Sequence, residues 1–205
     1  MRAKPAGVIL AGGRSSRMGV SRKALIELNG KPLLKYAIDS LQPFLAPLLL
    51  SCESETDEFG DFGLPVVPDL LPRFRGPLTG LCSALQYLDK LGHNDGLVLC
   101  PCDAPFIPHN LVQVLLDADQ GKHRPVVVIS YQGVLQPTFS LWQNHHLPVI
   151  YEQVVNKGFG GLKHVLTSLP HTVVEWAPAR PPPFFNVNTP ADLKTAALWL
   201  DRKHA

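Results

Sequence analysis

The stretch VILAGGRSSRMG, residues 8–19, decides how the rest of the chain is read. An apolar, β-branched run ends at Leu10 and breaks through Ala11 into Gly12 and Gly13; Arg14, Arg17 and Gly19 follow. A strand that is apolar at consecutive positions is buried on both faces, as in the middle of a parallel sheet. The glycines remove the Cβ atoms that would hold a ligand off the backbone. The arginines carry permanent charge in a planar fork that suits phosphate oxygens, and Lys23 adds a point charge nearby. Freed backbone N–H groups in such a turn make a concavity for anions. The pattern is neither GxGxxG nor GxxxxGK[ST], so the usual dinucleotide and ATPase readings do not apply directly. A plain strand-to-helix turn with two solvated arginines accounts for the residue types equally well.

Working outward, the same kind of buried run recurs at residues 48–52 (LLLSC), 65–69 (PVVPD), 96–100 (GLVLC) and 125–130 (PVVVIS). Residues 136–142 predict a sixth strand, paired with the fifth as a hairpin across Tyr131, Gln132 and Gly133, and residues 172–176 predict another. Helices are predicted between them. One runs over about residues 32–41, between Pro32 and Pro43; Asn29 to Pro32 before it has turn chemistry. Another spans residues 79–91, where Leu81, Ala84, Leu85 and Leu88 repeat at helical spacing. Further helices are expected at 108–116, 144–155 and 161–169. The last opens with Thr189 as N-cap and Pro190 in its first turn. Strands alternating with helices predict an α/β doubly wound, mainly parallel, Rossmann-like sheet in three α/β/α layers. Neither a repeat nor a linker interrupts it, so residues 1–205 read as a single domain.

Composition narrows the function classes. With 45% hydrophobic and 18% charged residues the chain is globular, not disordered. A net charge of +2 gives no support for nucleic-acid or membrane-surface binding. No apolar run approaches the roughly 18 residues of a membrane span. VILAGG before Arg14 is too short for the apolar part of a signal peptide, so a cytoplasmic protein is expected. Cys52, Cys82, Cys100 and Cys102 form no CxxC pair and read as small buried hydrophobes. His145 and His146, adjacent on a predicted helix, diverge and read as surface residues. The acidic run at residues 53–61, and Asp117 and Asp119, read as solvated loop.

In doubly wound sheets, ligands sit outside the carboxyl ends of the strands. The loops after Leu10, Cys52, Asp69 and Cys100 are therefore the candidates. Asp103, just past the fourth strand in CPCDAPF, is placed to hold Mg²⁺, a hard cation that takes carboxylate and phosphate oxygens together. A turn-forming aspartate ahead of a proline is the plainer alternative. Asn186 and Asn188 in FFNVNTP can meet a metal or a ribose, or simply make turns and caps. RGPLTG, residues 75–80, either lets backbone lie against a flat base or only leads into its helix. Asp69 either contacts the ligand or ends its strand.

Taken in order, LAGGRSSRMG, KALIELNGKPLL, PVVPD, RGPLTG, LCPCDAPFIP, LQPTFSL and FNVNTPADL closely resemble the molybdenum cofactor guanylyltransferases, of the nucleotidyltransferase superfamily. The resemblance covers nearly the whole chain. It implies the nucleotide-diphospho-sugar transferase type of fold. It also implies an enzyme that transfers GMP from GTP to molybdopterin with Mg²⁺, releasing pyrophosphate and forming the guanine dinucleotide cofactor. Docking to molybdoenzymes or their chaperones would follow. Carried over by position, Leu10, Ala11, Gly12 and Gly13 would wrap the nucleotide, and Arg17 and Lys23 would hold the triphosphate. Asp69 would lie by the guanine or ribose, Asp103 would bind Mg²⁺, and Asn186 and Asn188 would serve molybdopterin or the metal. Two positions depart from the family pattern. Arg22 stands where an aspartate is usual, and Ser51 is the nearest match to a nucleotide-contacting asparagine. These departures leave one alternative, a related transferase using CTP or another phosphorylated acceptor; a catalytically weak nucleotide-binding or partner-docking protein, fitted to hand on a fragile product, is the other.

Overall fold

The computed structural model describes residues 4–12, 22–53, 57–70, 76–119 and 125–202. Along them, β1 (Ala6–Leu10) is followed by a small hairpin, β2 (Glu27–Leu28) and β3 (Lys31–Pro32), and by α1 (Leu33–Leu41). Then come β4 (Leu48–Cys52), β5 (Val66–Pro68), α2 (Pro77–Lys90), β6 (Leu97–Pro101) and α3 (Leu111–Ala118). The chain continues through β7 (Val126–Tyr131), β8 (Val134–Trp142), α4 (Leu147–Tyr151), α5 (Leu162–Leu166), β9 (His171–Trp176) and α6 (Pro190–Asp201).

The main sheet has the order β5-β4-β1-β6-β8-β7-β9. β1 pairs in parallel with β4 and β6, β4 with β5, and β7 with β9; only β8 runs against its neighbours. The predicted mainly parallel α/β sheet is therefore what the chain adopts. Consecutive apolar residues on the central strands serve opposite faces. Val8, Leu49 and Leu99 pack under α2, α4 and α5, whereas Ile9, Leu50 and Cys100 pack under α1 and α3. This double burial explains why these strands show no polar alternation.

From β1 the chain winds outward to β4 and β5, and then returns to β6 on the other side of β1. The order thus reverses between β1 and β6, which opens a crevice at their carboxyl ends. The Cys102 N–H donates to Leu10 O across it at 3.2 Å.

Four local features differ from the sequence expectation. Asn29 and Gly30 (φ 50° and 74°) make a two-residue turn that closes the β2–β3 hairpin, where only a turn was expected. The expected 144–155 helix is composite: a 3-10 turn at Asn144–His146, then α4, then a π turn at Glu152–Asn156. His146 is not a surface residue. It is 4% exposed, and its Nδ1 accepts from the Gln143 N–H at 3.1 Å. Burial, with the His145 ring charge adding to it, lowers its pKa to about 4. The 3-10 geometry brings the two histidine rings to 4.1 Å instead of splaying them. Gln143 also reaches Asp119 Oδ2 at 3.1 Å, so Asp119 is a structural partner, not simply solvated loop.

All four cysteines are buried free thiols. α6 begins as expected: Thr189 Oγ1 accepts from the Asp192 N–H at 3.2 Å, and Asp192 Oδ2 accepts from the Thr189 N–H at 2.8 Å. Ala196 of this helix joins Leu28 of the β2–β3 hairpin, Leu33 at the start of α1 and Val187 of the preceding loop in one small buried cluster, and Asn29 Nδ2 donates to Asp201 Oδ1 at 3.0 Å. No described helix is long and apolar enough to cross a membrane.

Candidate active site

A cleft of about 410 Å³ lies over the crevice between β1 and β6. Leu10 and Gly12 line it from β1, Ser51 and Glu53 from β4, and Asp69 from the end of β5. Gly76, Pro77 and Gly80 come from the start of α2, Pro101, Cys102 and Asp103 from the end of β6, and Thr138 from β8.

At the centre Lys23 stands in a short 3-10 turn (Lys23–Leu25) and faces Asp103. Lys23 Nζ donates to Asp103 Oδ2 and, at 2.5 Å, to Asn188 Oδ1. The two charged side chains are only 12% and 14% exposed, so their pairing is shielded from bulk water. Asp103 Oδ1 is buried with no hydrogen-bond partner among the described residues. An orphaned carboxylate oxygen beside an ammonium is expensive unless a ligand supplies its missing partner. Asp103 is also tied to the asparagine loop: the Val187 N–H donates to Asp103 O at 2.9 Å. In that loop Asn186 Oδ1 is likewise buried and unpartnered among the described residues.

The other end of the cleft is built from β4, β5 and α2. Ser51 Oγ donates to Asp69 Oδ1 at 3.1 Å. Burial pushes the Asp69 carboxyl up to about 6; the Glu53 charge adds to the rise and the Ser51 hydrogen bond opposes it. α2 lies close on the sheet here, because a Cβ on Gly80 would come within 2.5 Å of Ser51 Oγ and 2.6 Å of Leu10 Cδ2. The Gly160 carbonyl accepts from the Leu78 N–H at 3.1 Å and covers the start of α2.

The structure thus brings Leu10, Gly12, Lys23, Ser51, Asp69 and Asp103 to one cleft. Ala11 supports this cleft without lining it: it is fully buried, and its N–H donates to Ser51 O at 2.8 Å. Asn186 and Asn188 stand behind Lys23 and Asp103 instead of lining the wall. Gly13 and Arg17 lie outside the described residues. Arg22 turns away to the rim, where its Nε donates to Glu58 Oε2 at 2.7 Å and its guanidinium lies 5.9 Å from the Phe59 ring centroid. Sequence reasoning gave no role to Thr138, Pro101, Cys102 or Glu53. Pro137 was the available signal for Thr138, since a proline inside a central strand marks a bulge.

A crevice at the switch point of a parallel sheet, an ammonium–carboxylate pair with an oxygen to spare, and an end walled by glycine backbone together define a nucleotide-handling transferase. Comparison with known proteins takes this further. Residues 7–173 match the family model of the MobA-like NTP transferase domain, and the chain belongs to that family: it is a nucleotidyltransferase. It is 35% identical over 198 residues to a molybdenum cofactor guanylyltransferase of Yersinia pseudotuberculosis, covering 96% of this chain and 95% of the relative. The guanylyltransferase of Yersinia pestis strain Pestoides F matches at the same identity and coverage. Among solved structures, molybdopterin-guanine dinucleotide biosynthesis protein A from Archaeoglobus fulgidus superposes with a TM-score of 0.77 at 19% identity, over 96% of this chain and 99% of that one. A CMP:2-keto-3-deoxy-manno-octonic acid synthetase complexed with CTP superposes with a TM-score of 0.73 at 16% identity, over 98% of this chain and 100% of that one. Both structural likenesses concern the fold.

Proposed function

We propose that the protein transfers GMP from GTP to the terminal phosphate of molybdopterin, forming the guanine dinucleotide cofactor. The reading rests on the buried, unpartnered Asp103 oxygen beside Lys23 at the head of the cleft, together with the 35% identity to named guanylyltransferases over nearly the whole chain. An oxygen of the acceptor phosphate bonds to the α-phosphorus, the bond from the α-phosphorus to the bridging oxygen breaks, and pyrophosphate leaves with that oxygen. The attacking phosphate is already ionised, so no general base is required. What the protein must supply is positioning and neutral surroundings for growing negative charge.

In this reading Leu10, Gly12 and the start of α2 receive the nucleoside, and Asp69 with Ser51 meets the guanine or ribose. Lys23 and Arg17 hold the triphosphate, while Gly13 and Ala11 belong to the same loop. Asn186 and Asn188 serve the molybdopterin side. Mg²⁺ fits the donors present: it is bound through one or two carboxylates plus substrate phosphates, and Asp103 offers one carboxylate with an oxygen free. Asp103 would hold it, and Asn188 Oδ1 shares the Lys23 ammonium with that carboxylate. When bound, the ion supplies charge neutralisation on the phosphates. Lys23, held beside Asp103 and Asn188, would offer its ammonium to the triphosphate. One catalytic unit acting in the cytoplasm, and handing its product to a molybdoenzyme or a chaperone, completes the reading.

Equilibrium binding of GTP, CTP and ATP with Mg²⁺, to the parent protein and to Asp103→Ala, tests it. GTP preference that weakens in the variant is the expected result. Equal binding of all three nucleotides, or pyrophosphate release with CTP and none with GTP, overturns it.

A further inference from the structure

The β7–β8 ladder breaks beside the cleft. Val128 pairs with Ser140, but the next residue, Ile129, pairs with Gln136, so Pro137, Thr138 and Phe139 have no partner on β7. On the other side, β6 pairs with β8 only through Leu97 to Leu99, opposite Trp142 to Ser140, which leaves Cys100 and Pro101 free of β8. The bulge therefore parts β8 from β6 at the carboxyl end of β6, where the cleft opens. It is held in shape by Ser140 Oγ, which donates to Pro137 O at 2.7 Å and accepts from Trp142 Nε1 at 2.7 Å. Phe139 is fully buried and packs 4.7 Å from the Phe184 ring. Its neighbour Thr138 lines the cleft with Pro101 and Asp103. Bulges next to active sites commonly re-aim one side chain, and here the re-aimed side chain carries a hydroxyl. No described residue hydrogen-bonds that hydroxyl.

The geometry points to Thr138 as the residue that receives the attacking phosphate of the acceptor. The inference rests on the transferase reading above and deepens it. The β4–β5–α2 end of the cleft is shaped for a nucleoside, with Lys23 and Asp103 between it and β8. An in-line acceptor must approach the α-phosphorus from the side opposite the departing pyrophosphate. The Thr138 side is the wall left over. Its hydroxyl donates to a non-attacking oxygen of a phosphate monoester and sets the approach of the attacking one.

The test compares the parent enzyme with Thr138→Val and Thr138→Ser. Valine keeps the branched shape and removes the hydroxyl; serine restores it. GTP binding serves as the folding control. The expected result for Thr138→Val is a KM for molybdopterin raised about tenfold, the size of one lost hydrogen bond to a charged oxygen. GTP affinity should stay within about twofold of the parent, and Thr138→Ser should recover most of the loss. An unchanged KM in Thr138→Val, or a GTP affinity that falls as far as the KM rises, overturns the inference. Failure of the underlying reading looks different: the parent enzyme then works with another phosphorylated acceptor and not with molybdopterin. The KM for that acceptor in the same two variants still decides for or against Thr138.

Discussion

Two aspartates face the same cleft from opposite ends and are treated in opposite ways. Asp103 is set against an ammonium and keeps one oxygen bare. Asp69 meets a serine hydroxyl and a neighbouring glutamate; among the described residues no cation pairs with it, and its pKa climbs to about 6. The first arrangement leaves a carboxylate oxygen without a partner among the described residues, open to a ligand that brings positive charge. The second tolerates a carboxyl that is neutral part of the time, and suits a ligand that brings N–H or O–H donors. On the proposed reading, the contrast assigns the phosphates and metal to the Asp103 end and the base and sugar to the Asp69 end.

Variants can break this contrast or sharpen it. The largest effect is expected for Asp103→Asn, which keeps size and loses charge: turnover should fall by about 10³-fold, in the range seen when one electrostatic stabiliser of a transition state is removed. Lys23→Met should cost about 10²-fold, read as kcat/KM, and should also leave Asp103 without its cation. If either variant kept near-parental turnover, the chemistry would lie elsewhere in the cleft.

Asp69→Asn should weaken GTP binding by about tenfold at pH 7.5 and leave its pH dependence flat. In the parent, affinity should drop as the pH falls through about 6 and Asp69 takes up a proton. Stability should move the other way. Between the unfolded value near 4 and the folded value of about 6, the native state holds a proton that the unfolded state has released. Parent stability therefore declines as pH rises through that window. Asp69→Asn should melt higher than the parent at pH 7, by about 1 kcal/mol after discounting for solvent screening, with the advantage gone by pH 4. A constant difference at all pH values would remove Asp69 as its source.

The smallest effect belongs to Arg22→Ala. Its pair with Glu58 stands at the rim, with side chains 20% and 45% exposed, and such pairs contribute about 1 kcal/mol or less. Turnover within about twofold of the parent is expected. A loss as deep as that of Lys23→Met would mean that Arg22 swings into the cleft and would blur the contrast.

The sequence was most legible where burial on both faces left one unambiguous pattern. The runs ending at Leu10, Cys52 and Cys100 became β1, β4 and β6 or nearly so, because consecutive β-branched and leucine residues suit no other place in a three-layer fold. The strand-end rule then placed Asp69 and Asp103 on the same edge. The partners that make these residues act were not legible. Asn188 meets Lys23 across 165 positions, and no periodicity connects them. His146 was misjudged because a helix was assumed where the chain makes a 3-10 turn, which changes the direction of each side chain. Thr138 was passed over because alternation along β8 fails at the bulge after Gln136, so its facing cannot be counted from its neighbours.

The long reach of the Lys23–Asn188 bond has a consequence for how the enzyme comes into being. With Asn29–Asp201, which spans 172 positions, it joins the first seventh of the chain to the last tenth. Contacts of such separation carry the largest loop-closure cost and form late in folding. During synthesis the sheet can begin to assemble on the ribosome while Lys23 still waits for its partners. Until the last tenth of the chain is made, Lys23 lacks Asn188 and Asn29 lacks Asp201, so this corner of the cleft is completed only with the C-terminal helix.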